Sequence, residues 1–286
     1  MRHRRGFTLV EILVSLVVML IVSGAIYQLL NSTQRLSRSQ AERVSLQSNV
    51  RSGALIVPTE LRELATFVSG GADQNDVLII PTGGTDITYR AMRGIGFVCQ
   101  LPTATEIRIA GYSGYRDPQA TRDGLYVFIY GTDATSTDDV WLPLTVTGVA
   151  TASTCGATPA IALTVSPSNT VLQTLPNGTP VRVYEKMQLQ LYTDAGGKSW
   201  LGARSVNTGE AIQPVLGPLT SNGLALEYLD ASGSITTDPK AIKSIRVTIR
   251  GVTDRNINLG SGSSGTLTSV QDSLVTQVVL RNAFRP

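Results

Sequence analysis

The sequence predicts an α+β chain, with one long N-terminal helix packed on a β-rich, mostly antiparallel C-terminal body. Three observations carry this prediction. The run from Phe7 to Leu30 is apolar and holds a single charge, Glu11. The stretch after Leu30 keeps helical spacing but turns amphipathic. From about Val77 the hydrophobic period shortens from that of a helix to that of a strand.

The apolar run has 24 residues. At about 1.5 Å per residue it spans roughly 36 Å, enough for a bilayer core. Beyond it, Gln34, Arg35, Arg38, Gln40, Glu42, Arg43, Gln47 and Arg51 are polar helix formers. Val50, Ala54, Val57, Leu61, Leu64, Ala65 and Val68 then recur at spacings of three and four. That spacing makes one apolar stripe, suited to packing on a globular body. Pro58 is expected to kink or end the helix near Val57. A membrane helix joined to a separate second helix fits the same pattern.

Short β-rich runs follow at 77–80, 87–90, 106–110, 125–130, 140–147 and 161–165, between Gly, Pro, Asp and Thr turns. Residues 181–192 alternate over a longer stretch. The clearest strand is 244–250, with Ile245, Val247 and Ile249 on one face and Ser, Arg and Thr on the other. Another lies at 274–282. No internal repeat is visible, and 132–139 and 260–265 read as surface loops.

The formal charge of +3 is a property of the N-terminus. Arg2, Arg4 and Arg5 precede the apolar run, and without them 21 basic residues face 21 acidic ones. The balance therefore argues for a cytoplasmic leader rather than for nucleic acid. His3 is the sole histidine and lies in that leader. A processed body holds none, which removes Ser-His-Asp and Cys-His catalysis and histidine metal sites. Cys99 and Cys155 are the two cysteines. In an exported body they read as one disulfide, and otherwise as two buried thiols.

Glu11 decides how the N-terminus is read. A cleaved signal peptide explains the basic start and the small residues Ser23-Gly24-Ala25, but not an acidic residue inside a long apolar run. A plain anchor gives a membrane charge costing at least about 2.5 kcal/mol and no partner for it. The stretch Arg5-Gly6-Phe7-Thr8-Leu9-Val10-Glu11 resembles the signal of type IV prepilins and type II secretion pseudopilins. The resemblance implies cleavage by prepilin peptidase between Gly6 and Phe7, and N-methylation of Phe7. It also implies that Glu11 pairs with the terminal amine of a neighbouring subunit during assembly. Such an ion pair is strongly favoured where the dielectric is low.

The same resemblance implies a type IV pilin-like fold. Residues 1–6 would be a removed leader and 7–30 the transmembrane half of the helix. Residues 31–68 would be its amphipathic half, and 69–286 a periplasmic or extracellular β-rich domain. The strand 183–192, Leu201-Gly202-Ala203-Arg204 after a Gly-Gly turn, Leu224-Ala225-Leu226-Glu227-Tyr228-Leu229-Asp230, the strand 242–250 and the ending Val279-Leu280-Arg281-Asn282 make the second half resemble PilW-like minor pilins and the J-type minor pseudopilins of type II secretion. The implied role is a non-enzymatic subunit, without cofactor, that helps initiate or cap a pilus. Its partners would be other minor pilins or pseudopilins, the major pilin, the peptidase and the inner-membrane assembly platform. Its place would be the inner membrane and then a surface filament. Because the subunit at the extreme tip often lacks the acidic residue in this family, Glu11 implies a neighbour above this one.

Other motifs carry less. Gly260-Ser261-Gly262-Ser263-Ser264-Gly265 spells GxGxxG, but strand-like residues follow where a dinucleotide site needs a helix. Gly197-Lys198-Ser199 lacks the first glycine of a P-loop. Asp133, Asp138 and Asp139 are candidate calcium ligands in one loop, without EF-hand spacing. Lys240, Lys243, Arg246, Arg250 and Arg255 form a basic stretch that could contact DNA, the ordinary reading being a solvated sheet face. An anchored binding module for DNA or glycan is the reading from another functional class.

Overall fold

The computed structural model describes residues 8–66, 75–81, 83–100, 103–131, 139–258 and 267–280. Helix α1 covers Leu9–Arg62. The strands are β1 Val77–Ile79, β2 Asp86–Gln100, β3 Glu106–Gly114, β4 Asp123–Ile129, β5 Val140–Cys155, β6 Thr158–Ser166 and β7 Pro180–Thr193. They continue as β8 Ser199–Ser205, β9 Gln213–Leu229, β10 Ser244–Val252, β11 Ile257–Asn258, β12 Leu267–Thr268 and β13 Gln271–Val279. The chain divides into two compact units: Met1–Ser48 with Val252–Asp272, and Asn49–Gly251 with Ser273–Pro286.

In the first unit, the described side chains of α1 from Leu9 to Leu30 are exposed on all sides. Among the described residues, α1 is the one helix long and apolar enough to cross a membrane. The unit also holds the antiparallel pair β11–β12. Next to it, Thr253 N–H donates to the Val270 carbonyl at 2.9 Å, and Val270 N–H donates to Thr253 Oγ1 at 3.1 Å.

The second unit is built on β2 and β7. They pair antiparallel from Asp86↔Gln190 to Phe97↔Pro180. On its other edge, β2 takes β1 near Thr88 and β3 from Gly94 onward. The other edge of β7 takes β4 over residues 181–185 and β8 over residues 187–193. The partners β3 and β4 are linked through β6 and β5, so β2-β3-β6-β5-β4-β7 closes into a six-stranded barrel. The remaining branch runs β7-β8-β9-β10-β13 as an open sheet.

Two cores follow from this fork. The barrel is filled by Val98, Ile107, Ile109, Leu125, Val127, Leu144, Val146, Leu163, Val165, Val181 and Val183. A 3-10 turn at Thr170–Thr174, capped by the Asn169 side chain, adds Leu172 and Leu175. The open sheet is backed by α1, whose Val57 and Leu61 join Ile87, Tyr89, Leu201, Leu226, Ile245 and Ile249. A side chain on Gly53 would put its Cβ 2.4 Å from Leu216 Cδ2, so the absent side chain lets the helix approach the sheet.

Polar ties fix the same contact. Asn49 Nδ2 donates to the Gly217 carbonyl at 3.0 Å, and Thr66 Oγ1 donates to the Ile242 carbonyl at 2.8 Å.

The expected stripe is buried at Val50, Ala54, Val57, Leu61, Leu64 and Ala65, while Val68 lies outside the described residues. The helix does not end at Pro58: α1 runs through it to Arg62. An interior proline costs about 3 kcal/mol. Burial of Val57 and Leu61 on either side offsets it, each worth roughly 1.5–3 kcal/mol. Thr59 Oγ1 also donates to the Leu55 carbonyl at 2.7 Å, adding a donor beside the bond that proline removes.

Several strands are longer than their sequence signal. β2 runs ten residues past Arg90, through Gly94 and Gly96. Glycine weakens a strand signal, yet here it makes room: a Cβ on Gly94 would lie 2.4 Å from the Tyr112 hydroxyl.

Candidate functional site

The head of α1 is organised by two residues. Thr8 stands immediately before the first helical residue, and Glu11 follows three positions later. The Thr8 N–H and hydroxyl both donate to Glu11 Oε2 at 3.2 Å, while Glu11 N–H donates to Thr8 Oγ1 at 3.3 Å. This is a reciprocal capping box. It satisfies backbone donors that a helix start leaves open, and it sets a carboxylate at the positive end of the helix dipole. The sequence argument draws a partner for Glu11 from outside the chain, and the structure adds one inside it. Gly6 and Phe7 lie outside the described residues.

Residues 1–27 match the prokaryotic N-terminal methylation motif. With the apolar helix that follows, this marks a type IV pilin-like N-terminus and a pilin-like structural subunit. The motif supports assembly with other pilin subunits, and the exposed helix supports a membrane anchor. No curated protein and no solved structure matches the chain.

Within the body, the densest polar cluster surrounds Glu185 on β7. It accepts from Arg93 Nε at 2.8 Å, Arg122 Nε at 2.5 Å and Arg116 Nη2 at 3.3 Å. Arg116 also clamps the buried Asp123 with bonds of 2.6 and 2.7 Å, and Arg122 reaches Glu210 at 2.6 Å. Burial alone would push the Glu185 carboxyl up. The Arg93 and Arg122 guanidiniums outweigh it and hold the group below its usual value. The cluster joins β2, β4, β7 and the turn after β8, and its chemistry is that of a clamp.

A second cluster lies where the chain leaves α1. Asp76 Oδ2 accepts the Ala65 N–H at 2.8 Å, and Asp76 N–H donates to the Ala65 carbonyl at 2.9 Å. Burial pushes its carboxyl up to about 6, against the pull of Arg182 and Arg90. The Arg90 guanidinium lies 5.3 Å from the ring centres of both Tyr126 and Tyr184 and donates to the Tyr126 hydroxyl at 2.6 Å.

Cys99 on β2 and Cys155 on β5 form a disulfide, with Cα atoms 5.9 Å apart and a sequence separation of 56. It ties two barrel strands that are not neighbours in the sheet order.

Of the calcium candidates, Asp133 and Asp138 lie outside the described residues, and Asp139 accepts the Gly131 N–H at 2.9 Å. Among the described residues, no group of three His, Cys, Asp or Glu is placed to hold a metal. The basic stretch is partly neutralised: Arg246 pairs with Glu227 at 2.6 Å, directly across the β9–β10 ladder. Arg250 donates to the Asn222 carbonyl at 2.8 Å. Gly197-Lys198-Ser199 is the turn into β8. Asp194 accepts the Lys198 N–H at 2.9 Å and the Trp200 indole at 2.8 Å, so a carboxylate stands where a phosphate would. The 260–265 glycines lie outside the described residues.

Sequence reasoning passed over Thr8 as a partner, although Thr-x-x-Glu before an apolar run is a readable signature. It passed over the Glu185 clamp for a better reason. Arg93 is 92 positions away and Arg122 is 63, and no local pattern announces such pairs.

Proposed function

We propose that this chain is a prepilin, cut between Gly6 and Phe7 and N-methylated on Phe7, that serves as a minor subunit helping to initiate or cap a type IV pilus. The observation that carries the reading is the methylation motif over residues 1–27. Residues 1–6 are the leader in this reading, 7–30 the membrane half of the helix, 31–68 its amphipathic half, and 69–286 the exported body. The fold supports it, with one long helix, an antiparallel β-rich body and a disulfide suited to an oxidising compartment. The size of the body, with its barrel and open sheet, favours a minor subunit at or near the end of a filament.

Glu11 has two states in this reading. Alone, its carboxylate is held by Thr8 in the capping box. During assembly, a neighbouring subunit's terminal amine brings a full opposite charge in low dielectric, which outweighs hydrogen bonds from two uncharged donors. The neighbour thereby fixes the axial register.

The deciding experiment is mass spectrometry of the mature N-terminus, which should begin at N-methyl-Phe7. A terminus near Ala25 would overturn the reading. In the second arm, Glu11→Val should still insert in the membrane but should be lost from sheared filaments or from the minor-subunit complex. Normal recovery there would remove the assigned role of Glu11.

A further inference from the structure

A cleft beside the Glu185 clamp is lined wholly by described residues. Its volume is about 380 Å³. The end of α1 supplies Glu60 and Glu63, β2 supplies Met92 and Arg93, and the turn after β3 supplies Tyr115.

Its electrostatics favour a cation. Arg93 is already engaged, because Glu185 accepts from its Nε at 2.8 Å. That clamp is balanced, with Arg93, Arg116 and Arg122 against Glu185, Asp123 and Glu210. Glu60 is exposed, accepts from the Tyr89 hydroxyl at 3.5 Å, and pairs with no cation among the described residues. Glu63 follows three positions later, so the two side chains leave the same flank of the helix with Cβ atoms roughly 5–6 Å apart. Arg62, two positions from Glu60, falls on the other flank. α1 ends at Arg62, so the negative pole of its dipole adds to the same potential.

The rest of the cleft is open but fixed. Met92 is 40% exposed and Tyr115 85%. Tyr115 is nevertheless held by its backbone, since its N–H donates to the Arg93 carbonyl at 2.8 Å. A Cβ on Gly114 would lie 2.5 Å from that same carbonyl, so the missing side chain lets the turn lie against β2. An exposed tyrosine on a fixed backbone makes a large contact at little cost in entropy. Sites for small molecules enclose most of their ligand. A cleft this open suits instead a single side chain whose own chain stays outside.

We propose that this cleft seats an arginine side chain of a partner protein, its guanidinium on the Glu60 carboxylate and the Tyr115 ring and its stem along Met92. A guanidinium matches both groups, because its plane stacks on an aromatic face while its fork donates to a carboxylate. A lysine ammonium brings the charge without the plane. The inference does not rest on the N-terminal reading, since every residue in it lies between Glu60 and Tyr115.

The two native cysteines are bonded to each other, so Met92→Cys places the single free thiol in the cleft. Full-length M92C in uncharged detergent is treated with methanethiosulfonates that carry either a trimethylammonium or a sulfonate group. Relative to their rates with free mercaptoethanol, the cationic reagent should react about tenfold faster than the anionic one, and Glu60→Gln should remove most of that preference. N-acetyl-arginine amide should slow the reaction, and its neutral citrulline analogue should not. Tyr115→Ala should abolish this protection while keeping the charge preference. Glu60 and Tyr115 are both exposed, so these variants keep the fold. A thiol that does not react, a charge preference absent or untouched by E60Q, or equal protection by N-acetyl-lysine amide would overturn the proposal.

Discussion

In the first half of α1, Leu9, Leu13, Leu16, Leu20 and Leu29 are each more than half exposed; in the second half, Val50, Val57 and Leu61 are 3% exposed or less, while Leu55 keeps 69%. One continuous helix thus follows two burial rules. The second half has a stripe, because a folded body covers one side of it. The first half has no stripe, and none of the described residues covers it. A helix apolar on every side is one whose partner is lipid or other helices. The single charge of that first half, Glu11, sits at its capped head, where Thr8 holds the carboxylate. The difference teaches that the second half serves folding and the first half serves location and assembly.

Three substitutions probe this division. The largest effect is expected where the stripe is deepest. Leu61→Ala, at a fully buried position, should lower body stability by about 2–5 kcal/mol in urea unfolding. A loss under about 0.5 kcal/mol would mean that the second half does not carry the fold.

Next comes Asp76, which closes the end of the helical segment. Its folded carboxyl is raised from 3.8 to about 6. Its stabilising contribution is therefore complete below about pH 3.8 and is lost as pH rises through about 6. Asp76→Asn removes that dependence, so between pH 4 and pH 7 the variant should gain on the wild type by roughly 2 kcal/mol. Glu185 carries the opposite sign. Its lowered carboxyl stabilises above its usual range and gives way on acidification, which makes the variant-minus-wild-type difference the quantity to follow. A flat difference across this range would remove Asp76 as a titrating buried group.

The smallest effect is expected in the first half. Leu16→Ala should leave the urea midpoint of the body unchanged within about 0.5 kcal/mol. A drop comparable with that of Leu61→Ala would erase the distinction between the halves.

Much of the helix was legible, since periodicity reports burial directly. The stripe from Val50 to Ala65 came from spacing alone, and so did the apolar run. Pro58 shows the limit. Local preference argues for a break there, and packing at Val57 and Leu61 overrides it. The strands were legible as segments but not as extents. β2, β5 and β9 run well past their β-branched cores because pairing, not propensity, sets where a strand ends. Closure of the barrel had no signal. It depends on β2 and β7 exchanging partners along their length, a relation between residues about 100 positions apart. The Glu185 clamp is hidden for the same reason.

The sequence by itself determined an apolar helix with a methylation signature at its head, a charge-balanced, cysteine-poor remainder, and the absence of histidine beyond position 3. Those are local or compositional properties, and chemistry reads them without a fold. Tertiary structure alone decided that β2 and β7 pair along their length, and that one sheet closes into a barrel at one end and opens against a helix at the other. Each depends on which backbone groups find partners far along the chain, and hydrogen-bond pairing at that distance leaves no trace in local pattern.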